Sequence, residues 1–147
     1  MKLTPCMDEL RQSWLPNITN GGLDRIIELL DKGSPLLISG AFTRSVPMGC
    51  LATHIGWHHP ATKKFTTESG INWLMKVAGL NPATSKVIRT WDSQSPADWD
   101  LRNCLLEVFN EERTKRRAQL ESVARKLEQI LTNDSDLEPT AAGAPPL

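Results

Sequence analysis

Residues 96–131 read PADWDLRNCLLEVFNEERTKRRAQLESVARKLEQIL, and after Pro96 the run holds neither glycine nor proline. Strong helix formers fill it, so it predicts one long helix, opened by Ser95-Pro96 with Asp98 as a capping-box carboxylate. Its two ends differ in character. Trp99, Leu105, Leu106 and Phe109 mark a core face, residues 110–119 are nearly all polar, and Leu120, Val123, Leu127 and Ile130 then resume a 3-4-3 apolar stripe. Glu111 with Lys115, Glu112 with Arg116 and Glu121 with Arg125 are favourable i,i+4 pairs. Such a helix would be about 54 Å long, whereas a body of about 110 residues is roughly 34 Å across. The helix overshoots on this reading and carries its stripe into solvent, which monomers rarely tolerate. In heptad terms the stripe alternates a and d for about two heptads, and the same register traced backward places Arg113 and Arg116 on the seam.

Upstream, the chain reads as a series of shorter helices. Pro5 to Trp14 predicts a first helix, closed by Pro16 and the turn-rich run from Asn17 to Gly22. Leu23, Ile26, Ile27, Leu29 and Leu30 predict a second, which Gly33 and Pro35 end. The short apolar run Pro35 to Ser39 predicts a strand, broken by Gly40. Pro47 suits a first helical turn, and Met48, Leu51, Ala52 and Ile55 then predict a helix finishing near His58, because His59 precedes Pro60. Thr66 or Thr67 caps the next expected helix, whose apolar face is Ile71, Trp73, Leu74, Val77 and Ala78 and whose stop is Gly79. Asn81-Pro82 restarts a helix through Val87, Ile88 and Trp91.

Composition bounds the rest. Lys plus Arg and Asp plus Glu each total 17, so no net field draws the protein to nucleic acid or an anionic membrane. An apolar fraction of 39% and a charged fraction of 23% over 147 residues suit one globular domain. Nothing near Met1 resembles a signal peptide and no apolar run reaches membrane-span length. Cys6, Cys50 and Cys104 are odd in number and widely spaced with no Cys-x-x-Cys, so neither a disulfide framework nor a structural zinc knuckle is indicated, and a reducing cytoplasm is the simplest home. The expected fold is therefore mainly α: a compact helical domain over 1–110 with at most a short strand or hairpin near 35–42, an extension of the last helix over 111–132, and a disordered tail over 133–147.

Gly49-Cys50-Leu51-Ala52, the run Gly70 to Leu80, Trp91-Asp92, and Leu101-Arg102 through Leu105-Leu106 resemble a family of short bacterial proteins classed as a domain of unknown function. In that family a strand-like run leads into a Cys-Leu helix, a second helix, and a Trp-Asn/Asp turn that opens a final Leu-rich helix. The resemblance spans roughly residues 35 to 110; it implies a compact helical fold and supplies no activity.

Three constellations could carry chemistry. Cys50, His54 and His58 fall at i, i+4 and i+8 with His59 adjacent, a candidate metal set, although one helix face supplies about two zinc ligands and no further donor is evident. Structural roles weigh more: a small buried thiol, and histidines set against a helix C-terminus. Cys50 and His54 also have the spacing of a thiol nucleophile and its base, but no orienting partner or oxyanion site accompanies them. Arg113, Lys115, Arg116 and Arg117 form a basic run, yet consecutive positions circle a helix and Glu111, Glu112 and Glu121 interleave them, so a solvated face outweighs a phosphate-binding ridge. Most of the five Trp fall on apolar faces, and Trp57, beside the histidines, is the exception to watch. No cofactor motif is present. The sequence thus points to a non-catalytic interaction protein that engages a protein partner or a second copy through Leu120, Val123, Leu127 and Ile130. Metal binding by Cys50, His54, His58 and His59 ranks second, and nucleic-acid association through residues 113–117 ranks third.

Overall fold

A computed structural model of the chain describes residues 3–93 and 99–143, with side chains as far as residue 133. Thr19 opens the best-formed helix of the core: its backbone is extended, and its hydroxyl accepts a hydrogen bond from the Gly22 N–H at 3.0 Å. This helix, α2, runs Asn20–Lys32, buries Leu23, Ile26, Ile27, Leu29 and Leu30, and ends where Gly33 adopts a left-handed φ of 59°. Before it, α1 (Thr4–Glu9) widens into a π-helical turn over Leu10–Trp14 and closes in a 3-10 turn over Leu15–Asn17. The expected single helix from Pro5 to Trp14 is therefore interrupted in its second half. Trp14 ends that π turn, and its ring meets Trp73 edge-on at 5.1 Å in the middle of the core.

Two strands follow, β1 (Thr43–Ser45) and β2 (Met48–Gly49), paired antiparallel about a turn at Val46-Pro47 whose peptide bond is cis. The expected strand near 35–42 corresponds to a single parallel bridge from Leu37 to Gly49, and the hairpin lies a few residues later. Pro47 is accordingly a turn residue rather than a first helical turn. Helix α3 is confined to Leu51–Trp57, with Cys50 in extended backbone at its N-cap, and all of its residues are buried.

Helix α4 (Ser69–Asn72) passes into a second π turn, Trp73–Val77, ahead of Gly79 at φ 70°. Thr66 does not cap α4 through its backbone; its hydroxyl meets the Ser69 hydroxyl at 2.6 Å. Helices α3 and α4 approach at backbone distance, and a Cβ on Gly56 would stand 2.7 Å from the Ser69 carbonyl oxygen. Helix α5 spans Lys86–Ser93, four residues later than the Asn81-Pro82 start predicted, because Asn81 instead closes a turn by accepting from the Ala83 N–H at 2.8 Å.

Helix α6 runs Trp99–Gly143. Leu101, Leu105, Val108 and Phe109 form its buried face, whereas Trp99 is 59% exposed and Leu106 only partly buried, so the core face is rotated from the one expected. The predicted start signal at Ser95, Pro96 and Asp98 lies outside the described residues, as do the side chains of residues 134–147, most of the expected tail. Contacts divide the chain into two units, Met1–Arg113 and Thr114–Leu147. Among the described residues no helix is long and apolar enough to cross a membrane.

Candidate functional site

The first candidate is the histidine end of α3. Because Cys50 sits before the helix rather than on it, the i, i+4, i+8 face expected for Cys50, His54 and His58 does not form. Cys50 is buried, its Sγ 3.6 Å from the Thr53 hydroxyl, and burial pushes its thiol up to about 11. The thiol therefore stays protonated at neutral pH. His54 donates from Nε2 to the Leu36 carbonyl at 2.7 Å and packs edge-on against Trp57 at 5.0 Å. Burial lowers its pKa, outweighing the Leu36 and Gly49 carbonyls that favour the proton, so the ring is held neutral. His58 donates from Nδ1 to the His54 carbonyl at 3.0 Å, and its own carbonyl accepts from Thr19 Oγ1 at 2.7 Å. His59 Nδ1 accepts from the Ala61 N–H at 3.0 Å.

Each imidazole thus spends one nitrogen on the backbone, and Cys50 turns to Thr53 instead of His54. The sequence-derived set Cys50, His54, His58 and His59 is not brought together as ligands. Among the described residues no group of three or more His, Cys, Asp or Glu side chains is arranged to hold a metal ion. Trp57 proves to be core: it is buried, and its indole N–H donates to the Thr66 carbonyl at 3.0 Å. Phe65 covers it from outside, with ring centroids 5.6 Å apart, while standing 61% exposed at a left-handed φ of 58°.

The second candidate is the Thr114–Leu147 unit. Leu120, Val123, Leu127, Ile130 and Leu131 are all exposed, from 51% at Val123 to 70% at Leu120. The 3-4-3 spacing puts the first four on one strip of the helix, and Leu131 widens it. Together they amount to apolar surface on the order of 500 Å², at the upper end of what a monomer presents as one patch. The third candidate, the basic run, is divided. Arg113 belongs to the first unit, where its guanidinium reaches Asp24 at 3.4 Å and the Asn110 side-chain oxygen at 3.1 Å, while Lys115, Arg116 and Arg117 belong to the second.

One organising residue carries no signal in the sequence. The Glu9 carboxylate accepts from Ser85 Oγ at 2.6 Å, from the Lys86 and Val87 N–H groups at 2.8 and 3.1 Å, and from the Trp14 indole at 3.1 Å. It caps α5 from across the fold and shares the task with the local Ser85, whose Oγ accepts from the Ile88 N–H at 3.3 Å. A second unsignalled feature is Arg102, whose buried guanidinium lies over Trp91 at 5.2 Å and whose Nη1 has no hydrogen-bond partner among the described residues. Compared with protein-family models, with curated proteins and with solved structures, the chain matches none.

Proposed function

We propose that this chain is a non-catalytic interaction protein, an adaptor or regulator, that engages another polypeptide through the apolar stripe of α6. The observation that carries the reading is the exposure of Leu120, Val123, Leu127 and Ile130 on one strip of a helix, with Leu131 beside it. Burying such a strip is worth about 25 cal/mol per Å² of apolar surface removed from water, so a second helix laid along it has a ready driving force. Cys50 and His54 are not set as a nucleophile and its base: the thiol is protonated, the imidazole neutral, and each faces a different partner. A reducing cytoplasm fits three cysteines that are all free.

A photo-crosslinking residue placed at Val123 in the producing cell tests this. It should yield an adduct of discrete mass, and the same residue at Glu121, off the strip, should yield little. Equal yields from the two positions, or none from Val123, would overturn the reading.

A further inference from the structure

We propose that the occupant of the α6 stripe is a second copy of this chain, laid antiparallel so that Leu120 meets the partner's Ile130 and Val123 meets the partner's Leu127. This inference rests on the reading of the stripe as an interaction face. In the heptad frame Leu120 and Leu127 are a positions and Val123 and Ile130 are d positions. Antiparallel helices set a against d, so these four residues close on themselves in four layers with no polar residue among them. The two-fold axis passes at the level of Arg125, which points outward at f.

Area favours a like partner. One stripe with the flanking Leu131 exposes on the order of 500 Å², and two such faces joined approach the roughly 1,000 Å² at which specific interfaces begin. A self-pair of this size is weak and concentration-dependent.

Charge selects the direction. Parallel pairing in register would close the same four layers but would place Arg116 against the partner's Arg116 in the next layer toward the amino end, and Arg113 against the partner's Arg113 beyond it. Arg113 is already drawn to Asp24 and Asn110 within its own unit. The parallel form gains the exposed pair of Glu112 with the partner's Arg117, formed twice by symmetry and worth about 1 kcal/mol in all. Two layers of like charge in the seam outweigh it. The antiparallel form sets Ala124 beside the partner's Ala124, small enough for close approach, and Gln119 near the partner's Asn133. Its one opposed pair, Lys126 with the partner's Lys126, sits on the solvated rim, where long side chains diverge and salt screens them.

The full chain carrying Leu120→Cys, the chain carrying Ile130→Cys, and an equal mixture are oxidised gently, and the linked peptides are identified by mass, which sets aside the native cysteines. A link between positions 120 and 130 should form on mixing, while each variant alone forms several-fold less of its own 120–120 or 130–130 link. Wild-type mass by sedimentation should rise with concentration, and Leu120→Glu with Leu127→Glu should weaken that association at least tenfold. Dominant 120–120 and 130–130 links would overturn the antiparallel register, as would a dimer that forms no 120–130 link. A wild type that remains monomeric near 1 mM, far above working concentrations of specific complexes, would overturn self-pairing. Should that occur, an adduct from Val123 in cells would leave the interaction reading standing with a different partner, and its absence would remove both.

Discussion

At the scale of single residues, His54 gives the fold a pH dependence whose sign follows from its surroundings. Burial holds its folded pKa below the ordinary histidine value of 6.5, so between those two values the unfolded chain binds the proton and the folded chain does not. Its contribution to stability is thus present above pH 6.5, falls as the pH drops below that, and levels off once the folded pKa is passed. The slope can reach at most about 1.4 kcal/mol per pH unit. His54→Gln keeps an N–H for the Leu36 carbonyl and cannot titrate, so urea midpoints measured at pH 7 and pH 5 should lie closer together for the variant than for the wild type. An unchanged gap would mean that His54 is not held neutral. Cys50 shows the complementary case, a thiol that burial keeps protonated and therefore slow to alkylate in the native state.

Among elements, α5 draws part of its N-terminal capping from outside. Glu9 holds Ser85 and the first two N–H groups of the helix, so Glu9→Gln, which loses the charge and turns an amide toward those donors, should cost about 1–3 kcal/mol in chemical denaturation. A loss within experimental error would show that the cap contributes nothing. No sequence pattern could reveal this contact, because its partners stand 77 residues apart. What the pattern did reveal was local. The stripe of α2 and the glycine that ends it were both readable, since a left-handed turn after a periodic run leaves a direct trace. The stripe of α6 was readable for the same reason. Pro47 misled because its fixed φ suits a helix start and a hairpin turn alike, and only the pairing of Thr43 with Gly49 decides between them. That single displacement moved Cys50 off α3 and dissolved the apparent ligand face. The π turns at Leu10–Trp14 and Trp73–Val77 were equally silent, because one inserted residue barely disturbs the apolar spacing; they carry Trp14 and Trp73, whose rings meet in the core.

For the molecule as a whole, the division at Arg113 makes a direct forecast. Among the described residues, every buried one of the core precedes that point, so a chain ending at Arg113 should fold cooperatively and melt within about 5 °C of the full chain, a shift equivalent to about 1 kcal/mol. It should also lose any association made by the stripe. A shortened chain that was molten, or that melted much earlier, would mean that the core depends on residues beyond it. The Glu9 cap has a consequence on a different axis, time. Amides in the first turn of a helix normally trade their hydrogens with water fastest, since nothing in the helix holds them. At Lys86 and Val87 they are held by a side chain from α1, and they can exchange only when α1 lets go. Those two protons are therefore a clock for the detachment of the amino-terminal segment, read one amide at a time while the rest of the protein stays closed.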